Sequence, residues 1–589
     1  MKDFLKYTLA TIVGIVLASI IITIISIVSL AGMVASEGAS GSVKDNSVLR
    51  IKLQGEIVER SGEDNPMDIL NQDETETIGL DQALEALKKA AKNDKVKGIY
   101  LEGGSLAAYP ADLQELRRAL LEFKESGKWI VAYGDNIAQG AYYLCSVADE
   151  IYLNPSGMID WYGMSSQPIF YTGLMKKLGV KMQVFKVGTY KSAVEPFINT
   201  EMSQANREQV QSFLGSIWNG ILKDVAQSRN IKVDELNAMT DSTLLLCEAD
   251  VFVEKKLVDK LGYRSDVKQA LRERLELEDD DDLTFTTLAD VAAGDDLGEK
   301  VDEEVAVYYA YGEINDSKGM GFSQEHSITT KETLKGLQDL RKDDDVKAVV
   351  IRVNSPGGSA YASEQIWHEI QLLRAEKPVV ISMGAMAASG GYYISCGANE
   401  ILAEPMTLTG SIGIFGMIPD ASELLTEKLG LSFDVVKTNA MSDFGAMGRP
   451  LNANESAKMQ NYINRGYELF TGRVAGGRGM AQDSVKAIAE GRVWTGEQAL
   501  KIGLVDKMGN LDDAIEEAAR LAELEKYTVG RYPSPAPWYM NILDKGGNDY
   551  MESQIRAALG EYYPAFALVR RIGKMDPVQA RLPFDPNIK

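Results

Sequence analysis

Histidine and cysteine are almost missing from this sequence. Two histidines, His326 and His368, and three cysteines, Cys145, Cys247 and Cys396, are spread over 589 residues. A Ser-His-Asp site or a His-rich metal centre would have to use one of those two histidines. His368 lies in a helical pattern and His326 in a polar loop, so bases other than histidine come forward. Three widely spaced cysteines form neither a disulfide framework nor a zinc-ligand pattern. Each reads as a small buried apolar residue. Positive charge is also short. Lys and Arg number 62 against 85 Asp and Glu, a net charge of −23, which argues against nucleic acid as a partner. Charge is wholly absent from residues 7–36. About 20 apolar residues cross a bilayer, so this run has length to spare. Lys2 and Lys6 precede it, with Asp3 between them, which keeps the N-terminus cytoplasmic and puts the remainder outside. A cleaved signal peptide is the rival reading. Its apolar core is normally shorter, and the small-residue sites around Ala35 are weak. The expectation is an uncleaved anchor over residues 1–36 and a Ser/Gly-rich link over 37–47.

What is present is a duplication. YGDNIAQGAYYL (133–144) recurs 250 residues later as MGAMAASGGYYI (383–394). Val96-Lys97-Gly98 matches Val346-Lys347-Ala348, and Pro155 matches Pro405. Gly55-Glu56-Ile57 matches Gly312-Glu313-Ile314, and Leu178-Gly179 matches Leu429-Gly430. Leu257-Val258-Asp259-Lys260 matches Leu504-Val505-Asp506-Lys507. Such an ordered series defines two copies of one domain, over 48–275 and 304–532. Short β-branched strands alternate with helical patterns: Ala348–Val353 (strand), Ser363–Arg374 (helix), Val379–Met383 (strand). That alternation predicts an α/β fold with βαβ units and a largely parallel sheet. The acidic stretch between the copies (276–303), with Glu278-Asp279-Asp280-Asp281-Asp282, reads as a solvated linker. A tail over 533–589 ends with Arg570, Arg571 and Lys574 near apolar residues, suited either to packing on the body or to touching a membrane surface.

The copies differ where chemistry is carried. In MAASGGYY (386–393) a serine, Ser389, stands at a strand-to-helix turn, near free N–H groups of a helix start. That suits a nucleophile beside an oxyanion site, although an ordinary N-cap fits the same stretch. The first copy has Gln139 there. The reverse holds at GTYKSAVEPF (188–197), whose counterpart is NAMSDFGAM (439–447): Lys191 faces Ser442. Alone, Lys191 would read as a surface lysine. A serine kept in one half and a lysine kept in the other is the pattern of one composite site. Lysine can act as base for serine once burial lowers its pKa from about 10.4. RVNSPGGSA (352–360) puts Gly357 and Gly358 in a turn where backbone N–H groups can approach an oxyanion. A plain tight turn is the simpler reading of those glycines. In TGSIGIFG (409–416), Ser411 is either a turn serine or a hydrogen-bond partner of the lysine amine.

These stretches, with GRVWTGEQALKIGLVDKMG (491–509), resemble the bacterial signal peptide peptidase A family, also called protease IV, in its long tandem-domain form. The resemblance spans about 48–532. It implies two tandem Clp-protease/crotonase-like domains after an N-terminal transmembrane helix. It implies a Ser-Lys dyad, with Ser389 as nucleophile, Lys191 as general base and Ser411 orienting the lysine. It also implies an oxyanion hole near Gly358 and Gly390 and no metal, nucleotide or organic cofactor. The expected protein is a single-pass inner-membrane endopeptidase with periplasmic catalytic domains, a homotetramer that degrades cleaved signal peptides and other hydrophobic peptides. Two rivals stand beside it: a crotonase-like acyl-CoA enzyme, which would ordinarily use carboxylates, and a non-catalytic peptide-binding membrane scaffold.

Overall fold

A computed structural model describes residues 7, 14, 43–61, 77–242, 244–278, 281–294, 301–317, 326–446, 448–534 and 578–581. The expected membrane span lies outside the described residues except for Tyr7 and Gly14. No helix among the described residues is long and apolar enough to cross a membrane.

The first repeat lays down β1 (Ser47–Val58), β2 (Thr77–Gly79), β3 (Val96–Ala107), β4 (Trp129–Ile137) and β5 (Glu150–Ile159). It continues with β6 (Lys181–Lys186), β7 (Lys260–Leu261) and β8 (Phe285–Thr286). All but β6 form one parallel sheet, in the order β2-β1-β3-β4-β5-β7 with β8 beside β1. The helix Leu80–Lys92 covers it with Leu80, Ala83, Ala86, Leu87 and Ala90, the three- and four-residue spacing of one helical face.

The second repeat contains β9 (Glu304–Tyr311), β10 (Glu313–Asn315), β11 (Ser327–Thr329), β12 (Val346–Ser355), β13 (Gly357–Ser359) and β14 (Val379–Ala388). After these come β15 (Glu400–Ala403), β16 (Leu408–Gly410), β17 (Phe415–Asp420), β18 (Val493–Thr495), β19 (Lys507–Met508) and β20 (Thr528–Tyr532). Its main sheet runs β18-β16-β14-β12-β9-β20. Every residue of β14 is buried, as a central strand covered on both faces requires. The predicted strands and helix are all found but longer: β12 spans 346–355, the helix is Ala360–Arg374, and β14 runs on to Ala388. That extension delivers the chain to Ser389.

The duplication is structural. Tyr142 Oη donates to the Leu257 carbonyl at 2.7 Å, and Tyr392 Oη to the Leu504 carbonyl at 2.9 Å. Asp259 accepts from Ile151 N and pairs with Arg229; Asp506 accepts from Ile401 N and pairs with Arg478.

The two repeats are not separate beads on a linker. A third sheet is built from both, in the order β11-β10-β13-β21-β17-β6, where β21 is Val578–Arg581. Strand β6 of the first repeat lies antiparallel to β17 of the second, from Lys181 opposite Asp420 to Lys186 opposite Phe415. In the main sheet of the second repeat, Arg352 of β12 is 1% exposed and reaches Glu59 at 2.7 Å and Glu115 at 2.6 Å, both from the first repeat. The acidic stretch is also more than a solvated linker. Phe285–Thr286 pairs with β1, and the short helix Leu288–Ala292 supplies a carbonyl that accepts from Lys89 Nζ at 2.7 Å. Strand β20 pairs in parallel with β9.

Candidate functional site

Ser389 follows β14 directly and stands before the helix Gly390–Ser395. It occupies the N-cap position, yet its side chain makes no capping bond. Its backbone has a positive φ, at φ 57° and ψ −110°. Such a conformation costs a non-glycine residue on the order of 1–3 kcal/mol and persists only where the surroundings enforce it. Here Ser389 N donates to the Gly410 carbonyl at 2.8 Å. In the first repeat the matching residue, Gln139, is not among the residues with positive φ, and the N-cap of its helix is the preceding Ala138, ordinary at φ −63° and ψ 153°. The Gln139 side chain is buried and accepts from the N–H groups of Tyr162 and Gly163, so the place of the serine in the first repeat is closed by a structural amide. The strain exists in one repeat only, where a hydroxyl has to be aimed.

Lys191 arrives from the other repeat, 198 residues away in sequence, and its Nζ lies 2.7 Å from Ser389 Oγ. The same nitrogen bonds the Ser411 carbonyl and the Ser411 Oγ, each at 3.1 Å. Lys191 is fully buried, and burial pushes its amine well below the usual lysine range. An amine held neutral, bonded to a hydroxyl, can take that hydroxyl's proton. Ser442, its counterpart, is exposed in a loop and bonds only locally, to Thr438 and Asn439.

The lysine's position depends on a neighbour that sequence reading did not single out. Gly491 has φ 77°, and a Cβ there would stand 2.6 Å from the Lys191 Cβ and 2.7 Å from its N. Only a residue without a side chain lets the two loops pass this closely. Gln209, on the long helix Gln204–Arg229, ties the same loop down: its Nε2 donates to the Tyr190 carbonyl and its Oε1 accepts from Val493 N.

Gly358 and Gly390 are brought together. A Cβ on Gly390 would stand 3.1 Å from Gly358 N. One on Gly357, at φ 97°, would stand 2.7 Å from Gly390 N. Gly390 is the first residue of its helix, where an N–H has no partner within the helix itself. Backbone donors therefore converge beside the serine.

Sequence reading also missed the support behind Ser389. Asn354 Nδ2 donates to Glu59 at 2.6 Å, and Asn354 Oδ1 accepts from Met386 N at 3.2 Å, at the point where the β12/β14 register slips. An acid of the first repeat thus props the strand that carries the serine of the second. No local pattern marks it, because Glu59 and Asn354 are 295 residues apart. Both histidines are exposed, and Cys145 and Cys396 are buried as expected, while Cys247 is half-buried.

A buried serine bonded to a buried lysine, beside paired backbone donors, is the equipment of a hydrolase that needs no histidine. The family model for peptidase family S49 matches residues 122–278 and 371–525, once in each repeat, and that for Clp protease matches residues 302–408. Protease 4 of Salmonella typhi is 34% identical over 572 residues, covering 93% of this chain and 89% of the relative. Protease 4 of Haemophilus influenzae is 35% identical, over 88% of this chain and 85% of the relative. The chloroplastic serine protease SPPA of Arabidopsis thaliana is 31% identical, over 86% and 74%. The chain belongs to peptidase family S49, the signal peptide peptidase A or protease IV family, and is a serine protease with two tandem Clp-protease-like repeats.

Proposed function

We propose that this serine protease is a membrane-anchored endopeptidase working through a Ser389–Lys191 dyad, and that it degrades cleaved signal peptides and other hydrophobic peptides. The observation that carries the reading is the 2.7 Å bond between a buried lysine of one repeat and a strained serine of the other. Neutral Lys191 takes the Ser389 proton as Oγ attacks a peptide carbonyl. N–H groups of Gly358 and Gly390 receive the oxyanion, and Ser411 holds the amine in line. The ammonium returns its proton to the leaving amine, and a water, deprotonated in turn by Lys191, clears the acyl-enzyme. No cofactor enters these steps.

The substrate class rests on the family resemblance. The anchor rests on the uncharged run over residues 7–36. With the anchor in a bacterial inner membrane and the N-terminus cytoplasmic, the repeats stand on the periplasmic side, where cleaved signal peptides emerge. A homotetramer fits the apolar arm of the second repeat, where Leu429, Leu431, Phe433, Val435, Val436 and Phe444 are all exposed. The deciding experiment labels the full chain, in detergent, with a fluorophosphonate probe and assays a hydrophobic fluorogenic peptide. Label on Ser389, lost in Ser389→Ala together with peptide hydrolysis, is the expected result. Unchanged hydrolysis in Ser389→Ala refutes the reading.

A further inference from the structure

The strand β21 has no counterpart in the repeat pattern. It comes from the C-terminal tail, yet it fills the middle of the sheet that both repeats build. On one side it runs antiparallel to β13, with Gly357 opposite Arg581, Gly358 opposite Ala580 and Ser359 opposite Gln579. On the other it runs antiparallel to β17, with Phe415 opposite Gln579 and Gly416 opposite Val578. Without it, β13 and β17 would face each other across a gap one strand wide. An extended peptide that adds to two open edges gains main-chain hydrogen bonds from both, a general mode of peptide capture.

The register points at the chemistry. A Cβ on Gly357 would stand 2.0 Å from the Ala580 carbonyl oxygen and 2.7 Å from Gly390 N. The Ala580 carbonyl therefore lies against the turn where the backbone donors converge. Ala580 is fully buried and Gln579 nearly so. Past that carbonyl the chain leaves the pairing with β17, and Arg581 is held by an ion pair with Glu313 of β10. Val578, Gln579 and Ala580 thus lie where residues before a scissile bond belong, and Arg581 where the residue after it belongs.

Resting on the dyad reading above, we infer that the protein's own tail is a substrate of its own site, cut between Ala580 and Arg581. Ser389 Oγ attacks the Ala580 carbonyl carbon and gives its proton to Lys191. The Ala580–Arg581 C–N bond breaks, and the proton passes to the Arg581 nitrogen, which leaves as a free amine. One water then hydrolyses the Ala580 ester, restoring the serine hydroxyl and leaving a carboxyl group on Ala580. The fully buried Ala580 side chain also identifies the subsite before the scissile bond as one that takes a small residue.

Intact-mass measurement on the purified full chain tests this, with Ser389→Ala and Ala580→Trp alongside. The Ala580→Trp change sits in the tail and leaves Ser389 and Lys191 untouched. The expected result is a wild-type chain ending at Ala580, with Arg581 onward retained in both variants. Tail loss in Ser389→Ala assigns the cut to another protease, and an unchanged cut in Ala580→Trp refutes the register; either overturns the inference. A wild-type chain that keeps Arg581 while hydrolysing a fluorogenic peptide through Ser389 refutes self-cleavage and leaves the dyad standing. If peptide hydrolysis proceeds without Ser389, the dyad reading itself has failed and the inference goes with it.

Discussion

Replacing Lys191 by methionine separates the lysine's chemistry from its packing. Methionine is unbranched and of similar length, so it fills the same buried channel beside Gly491 without bringing an amine. The Nζ lost makes the bonds to Ser389 Oγ at 2.7 Å and to the Ser411 carbonyl and Oγ at 3.1 Å. Leaving buried partners unsatisfied costs about 1–3 kcal/mol each. Against this, the native amine carries its own penalty. Burial places its folded pKa well below the ordinary value, so between the two values the unfolded chain binds more protons. The lysine's contribution to stability therefore rises with pH through that window and is least favourable below it. Methionine removes that dependence, so at neutral pH the melting temperature should change by only a few degrees. Activity should not survive. A positioned general base is worth roughly 10²–10⁴ in rate, or about 3–5 kcal/mol of barrier. The assay is kcat/KM on a hydrophobic fluorogenic peptide across a pH series. Wild-type kcat/KM should rise with pH as the lysine loses its proton, and Lys191→Met should lose both rate and that pH dependence. A folded Lys191→Met enzyme that keeps more than about a tenth of wild-type kcat/KM, against the 10²-fold or greater loss a missing base entails, would refute the base assignment.

Other consequences can be checked in the same assay. Ser411→Ala removes one of the two Ser411 bonds to the amine and keeps the carbonyl; a loss of about 1 kcal/mol, roughly fivefold in kcat/KM, is expected with little change in melting temperature. Gly491→Ala drives a methyl into the Lys191 backbone, so kcat should fall by more than tenfold, of order 1.4 kcal/mol or more, while Ser411→Ala has the milder effect; the comparison of the two checks the seat of the lysine. Arg352→Met strands Glu59 and Glu115 in the interior, and chemical denaturation should show about 3–5 kcal/mol of lost stability. A loss under about 1 kcal/mol, a surface-pair value, would mean that the two repeats are not held by that cluster.

Much of the local structure was legible in the residues. The β-branched runs at 346–353 and 379–383 announce buried strands because a strand covered on both faces has no polar side to show. The duplication is legible because a repeated domain needs the same turn and core residues at matching places, as Gly55 and Gly312 do with φ 83° and 93°. The strand and helix ends were less legible: β14 runs five residues past the predicted Met383, because Met386, Ala387 and Ala388 are held by the neighbouring β12 and β16 rather than by their own propensity.

By itself, then, the amino-acid sequence determined the two-repeat α/β plan and named the complementary pair Ser389 and Lys191, since a serine lost from one copy and a lysine lost from the other is visible in the alignment of a chain with itself. Only the tertiary structure decided that the pair meets at 2.7 Å, that Lys191 is wholly buried and so held toward its neutral form, that Gly491 makes room for it, and that Glu59 props the serine's strand. It alone placed β21 between β13 and β17. The physical reason is range. Hydrophobic period and turn chemistry act between residues a few positions apart, whereas burial of a charge and the addition of a strand depend on segments hundreds of residues away, which only the folded chain brings into contact.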